Sequence, residues 1–123
     1  MQGNLANILQ LLGRLEQSLT MRREVYSGFV KLHGEGHYNT LVAANNCANC
    51  LLNLKRFEEA KALMRKIMPV AQRKLGAGDL YTLTAKEVYA HTIYGDEGAT
   101  LDDLREAVTM LEEAAPILSL IHI

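Results

Sequence analysis

Two stretches decide how this chain folds: Leu32-His33-Gly34-Glu35-Gly36-His37-Tyr38-Asn39-Thr40-Leu41 and Leu75-Gly76-Ala77-Gly78-Asp79-Leu80-Tyr81-Thr82-Leu83. Superposed at a shift of 42 residues, Gly34 falls on Gly76, Gly36 on Gly78, and Thr40-Leu41 on Thr82-Leu83. Each stretch places glycines directly before a run that favours helix, so each reads as a turn between helices. The register extends outward. Asn4-Leu5-Ala6 falls on Asn46-Cys47-Ala48 and then on Val88-Tyr89-Ala90, and Gly13-Arg14-Leu15-Glu16 falls on Lys55-Arg56-Phe57-Glu58. In the last unit the second helix is displaced by five residues, after which Glu59-Ala60 matches Glu106-Ala107 and Met68-Pro69-Val70 matches Ala115-Pro116-Ile117. The insertion falls in the Gly- and Asp-rich loop Tyr94–Asp103, where added length costs little.

Apolar residues between the turns recur at three and four, as in Leu41, Ala44, Ala48, Leu51 and Phe57, Ala60, Leu63, Met64, Ile67. This predicts six helices: Leu5–Leu12, Arg14–Leu32, Tyr38–Leu54, Arg56–Lys74, Leu80–Tyr94 and Leu101–Ile117. Alternating β-branched residues are nearly absent, so strands are not expected. A fixed period with one helical hairpin per unit describes an all-α solenoid of antiparallel hairpins. Small residues at Ala48, Ala60, Ala90 and Ala107 suit the closest approach of paired helices, with Leu15 and Phe57 as bulky packing partners. Asp79 is placed to cap the helix that follows it, and His37 holds the equivalent position. Pro69 and Pro116 recur inside second helices, where each removes a backbone bond and favours a kink.

The turn Leu32–Leu41, the run Asn45-Asn46-Cys47-Ala48, and Arg56-Phe57-Glu58-Glu59-Ala60 followed by Leu63 resemble the tetratricopeptide repeat family, in the 42-residue variety found in kinesin light chain. The similarity spans residues 4–117 as about two and a half units: a partial first unit at 4–34, a second at 35–76 and a third at 77–117. Tyr38 stands where that family usually has proline, and Val88-Tyr89 replaces Asn-Leu. The resemblance implies a protein–protein interaction scaffold without catalysis, binding a linear peptide of a partner in a concave groove lined by the first helix of each unit. Asparagine carboxamides hold such a peptide because each offers both a donor and an acceptor to its backbone. Carried onto this sequence, the groove residues are Asn7, Asn45, Asn46, Asn49, Asn53, Glu87 and His91. Clustered lysines and arginines of the carboxylate-clamp kind are missing from this row. The alternative is the sensor or oligomerisation portion of a larger multidomain signalling or nucleotide-hydrolysing protein.

Composition bounds the function. The chain has 123 residues, 49% hydrophobic and 22% charged, enough for one folded domain. The net charge of −1 conceals a basic middle, +5 over residues 55–74, and an acidic end, −7 over residues 79–113. Arg65, Lys66, Arg73 and Lys74 fall on a second helix, expected to be an outer wall that faces an acidic neighbour. Nothing here points to nucleic acid or to a membrane surface. No apolar run approaches the roughly 18 residues of a membrane span. The opening Met1-Gln2-Gly3-Asn4 lacks the pattern of a secretory signal. Two cysteines without a disulfide framework fit a reducing, cytoplasmic setting.

Cys47 and Cys50 with His33 and His37 upstream form a remote metal or redox alternative. In the repeat register Cys47 aligns with Leu5 and Tyr89, which are core positions, so packing is the expected role. The glycine pairs follow helices rather than strands and no phosphate-binding lysine follows them, so they are turns and no cofactor is implied. Asp102-Asp103 and Glu112-Glu113 are expected on solvated faces or at a helix cap. Residues 118–123, Leu-Ser-Leu-Ile-His-Ile, have no counterpart in the previous unit and read like a translated transposon-end adapter. They are expected to be a non-native tail on a fragment of a longer array, with additional repeats or domains in the parent chain.

Overall fold

The computed structural model describes residues 2–121, with side chains described over 5–114. Five helices and no strand occur among them: α1 (Gln2–His33), α2 (Tyr38–Asn53), α3 (Phe57–Leu75), α4 (Leu80–Tyr94) and α5 (Leu101–Ile121). Each helix packs on the next, and α2 also packs on α4. With short connections this gives two layers, α2 and α4 in one and α1, α3 and α5 in the other.

The turns are built as the glycines require. Gly34 and Gly76 take φ of 83° and 93°, a region that costs other residues a Cβ clash. Their amides donate to Val30 O and Gln72 O and so close the preceding helices. The next helices are then capped by side chains: His37 Nδ1 accepts from the Asn39 amide at 3.1 Å, and Asp79 Oδ1 accepts from the Tyr81 amide at 2.8 Å. At the start of α5, Thr100 and Asp103 exchange side-chain-to-amide bonds at 3.1 and 3.3 Å, a reciprocal capping box. Those bonds hold the Asp103 carboxyl below its ordinary pKa.

The two layers meet through small residues. Ala44, Ala48, Ala60, Ala71, Ala85 and Ala90 are completely buried, so the backbones of α2, α3 and α4 come close. Leu41, Met64, Ile67, Tyr89 and Ile93 fill the space between them in one continuous cluster. Tyr81, buried in the same cluster, donates its hydroxyl to Leu41 O and ties α4 to α2. Burial holds the Tyr81 phenol far above its ordinary pKa. The outer helices are joined instead by surface ion pairs: Arg23–Glu59 between α1 and α3, Glu16 of α1 with Arg56 just before α3, and Arg65–Asp103 between α3 and α5.

One expectation fails at Gly13. The repeat register requires a reversal there, between predicted helices Leu5–Leu12 and Arg14–Leu32, but α1 runs unbroken through it. The described residues therefore form five helices, not six. At the equivalent place in the second unit the chain does reverse, with Lys55 at φ 62° and the Arg56 amide donating to Leu51 O. Glycine tolerates a helical interior at a cost of about 1 kcal/mol, and Leu11, Leu12, Arg14, Leu15 and Glu16 around it are strong helix formers. Local propensity carries the helix through where packing does not reverse it. Pro69 lies within α3 and is exposed, while the side chain of Pro116 and residues His122 and Ile123 of the expected tail lie outside the described residues.

Because Lys55 holds a left-handed conformation that costs an L-residue about 1–2 kcal/mol, Lys55→Gly is expected to stabilise the chain by up to about 1 kcal/mol. Urea unfolding checks this through a raised midpoint at unchanged slope.

Candidate functional site

The exposed face of the α2–α4 layer is built by helical spacing. On α2, positions 42, 45, 46, 49 and 53 fall within about 100° of arc at 100° per residue; Asn49 and Asn53 are exposed there and Asn45 and Asn46 half-buried. On α4 the same register presents Thr84, Glu87 and His91, the last two exposed. Asn46 lies at the edge toward α1, beside Ala43. The Asn45 side-chain oxygen is buried and accepts no hydrogen bond. His91 stacks on Tyr94 with centroids 4.9 Å apart, and Tyr38 meets Tyr81 edge-on at 5.9 Å.

The structure thus brings Asn45, Asn46, Asn49, Asn53, Glu87 and His91 into one two-helix layer. Asn7 is not with them: it is exposed on the N-terminal half of α1, a consequence of the missing reversal at Gly13. Among the described residues, none of the side chains Asn46, Asn49, Asn53, Glu87 and His91 hydrogen-bonds to another part of the chain.

The outer helices behave oppositely. Arg65 on α3 reaches Asp103 at 3.5 Å and Glu106 at 3.8 Å, and donates to the Tyr89 hydroxyl at 2.8 Å. Tyr89 in turn donates to Glu106 at 2.8 Å. Burial, reinforced by Glu106 and opposed by Arg65, raises the Tyr89 pKa. Lys61 pairs with Glu58 and Asp103, and Lys66 with Glu35. The basic middle and acidic end of the sequence therefore meet across α3 and α5.

The candidate metal residues occupy two separate places. His33 and His37 stack at 4.4 Å in the turn between α1 and α2. Cys47 and Cys50 are buried free thiols roughly 15–20 Å further along α2 at 1.5 Å per residue. Burial raises the Cys47 pKa, and Cys50 packs with Leu19, Leu51 and Ala60, its sulfur 3.6 Å from Ser18 Oγ. No group of three metal-ligating side chains occurs among the described residues.

Sequence reading missed Lys86. Only 4% exposed, it donates to Glu113 Oε2 at 2.6 Å and pins α4 to α5. The signal was present: Lys86 occupies the register of Ala44, a core position, so a lysine there needs an oppositely charged partner within reach.

Hairpins stacked in two layers, with a polar face on the first helices and a paired outer wall, define a helical repeat scaffold. A tetratricopeptide repeat family model matches residues 1–73, and the chain belongs to that family. Tetratricopeptide repeats form a non-enzymatic scaffold fold and are protein–protein interaction modules that bind protein partners. No curated protein and no solved structure matches the chain. No helix among the described residues is long and apolar enough to cross a membrane.

Glu113→Ala strands the Lys86 ammonium in a buried site and is expected to cost about 1–3 kcal/mol. Lys86→Met, which removes the charge and keeps the length, is expected to cost less or to stabilise. Thermal unfolding of the two variants distinguishes them, and equal losses would contradict this role for the pair.

Proposed function

We propose that the α2–α4 face binds a linear peptide segment of a partner protein in extended form. Asn45, Asn49 and Asn53 contact the peptide backbone, while Glu87 and His91 read its side chains. The observation that supports this reading is a contrast in how polar groups are used. Many charges on the outer helices are paired, as in Arg23–Glu59 and Arg65–Asp103, whereas Asn46, Asn49, Asn53, Glu87 and His91 on α2 and α4 make no internal hydrogen bond among the described residues. A face that needed only to be wet would more often carry lysine and glutamate; this one carries carboxamides, each a donor and an acceptor at once.

Asn45 fits the role in a further way. Its buried oxygen lacks a donor, so turning the carboxamide outward to a peptide N–H gains a bond without breaking one. Glu87 favours a partner with a basic residue at that position. In this reading the units are 4–34, 35–76 and 77–117, and the peptide crosses from the second to the third.

Peptides selected from a random linear library on the whole chain provide the probe. Asn45→Ala with Asn49→Ala is expected to weaken their binding at least tenfold, measured by calorimetry, with the thermal midpoint nearly unchanged. Affinity untouched for every selected peptide would remove these residues from the site.

A further inference from the structure

The first unit holds a seat and a matching segment that do not meet within the chain. In the second unit, Cys47, Cys50 and Leu51 of α2 are buried to 1%, 7% and 2% exposure. The residues in their register in the first unit are Leu5, Ile8 and Leu9, which stand 59%, 56% and 59% exposed on the N-terminal half of α1. Leu12 adds to the same apolar stripe. Spacing of three and four puts Leu5, Ile8, Leu9 and Leu12 on one side of the helix.

The seat lies between α1 and α2. It is an open groove of about 430 Å³ lined by Gln17, Ser18, Met21 and Val25 on one side and Ala43 and Asn46 on the other. Met21 and Val25 are 66% and 52% exposed in it. Ser18, Met21 and Val25 share the register of Ala60, Leu63 and Ile67, residues of α3 that pack in the clusters holding α2. The groove is thus shaped on the α1 side to take a helix bearing the pattern of Leu5–Leu12. Arg22, in the register of Met64, makes it more polar than its counterpart.

A chain whose α1 is continuous cannot fill its own groove. At 1.5 Å per residue, Leu5 lies about 12 Å beyond Gly13 along the helix axis, pointing away from Met21 and Val25. We propose that the groove receives the Leu5–Leu12 segment of a second copy of this chain. In a two-fold pair each copy lays that segment antiparallel along Gln17–Val25 of its partner, as α2 lies along α3. Such an exchange buries both apolar stripes at once, and Gly13 is its hinge.

The test uses the whole chain with Leu5→Cys and Met21→Cys, two exposed positions that the register brings together, the native thiols being buried. Unsubstituted protein at about 100 µM is expected to sediment at twice 13.7 kDa, and the cysteine pair to give a dimer linked between chains on a non-reducing gel. Ile8→Asp, at an exposed position that leaves the helical body intact, is expected to raise the dimer dissociation constant at least tenfold, with a thermal midpoint equal to that of the unsubstituted protein only at dilutions where both are monomeric. A monomeric mass overturns the proposal. So does a link formed within one chain, which would mean that the segment closes on its own groove, or a dimer that neither links nor responds to Ile8→Asp.

Discussion

Everything in this molecule depends on one packing constraint: a helical hairpin exposes an apolar face that only a neighbouring hairpin can cover. The alanines show how it is met. Ala48 and Ala90 are fully buried, small residues where helices meet, and Tyr89, Met64 and Ile93 fill the same cluster around them. The polar consequences follow. Once α3 is held between α2 and α4, its basic edge reaches the acidic edge of α5, and the outer wall satisfies itself through Arg65, Asp103, Glu106 and Tyr89. On the other side of the layer the carboxamides of Asn49 and Asn53 are exposed and pair with no other group among the described residues.

The same constraint explains the first unit. Leu5, Ile8 and Leu9 carry the pattern of a packed helix, but α1 continues straight and leaves them uncovered. Lys55 and Gly13 make an instructive pair. Lysine accepts an unfavourable φ at the second turn because Cys50, Leu51 and Leu52 gain burial from the reversal. Glycine, which could take that conformation freely, stays helical where no burial rewards the turn.

Much of this was legible beforehand. The 42-residue register exposed the period because burial demands the same residue size at the same place, as in Ala48 and Ala90 or Leu41 and Leu83. The caps at His37 and Asp79 were legible because capping is local. What escaped depends on tertiary context. Propensity around Gly13 favours helix and the register favours a turn, and only packing decides between them. Lys86 gave no local sign of its partner, since Glu113 lies on another helix. The asparagines were named from the family resemblance, and their separation from the paired charges of the outer wall emerged only once the helices were assembled.

The central claim is that this polar row on α2 and α4 is the working surface of the scaffold. Backbone amide chemical shifts, recorded while a library-selected peptide is titrated into the whole chain, test it most directly. Shifts centred on Asn45, Asn49, Asn53, Glu87 and His91, with α3 and α5 quiet around Arg65 and Asp103, are the predicted result. Shifts centred on the paired charges of α3 and α5, with α2 silent, would contradict it.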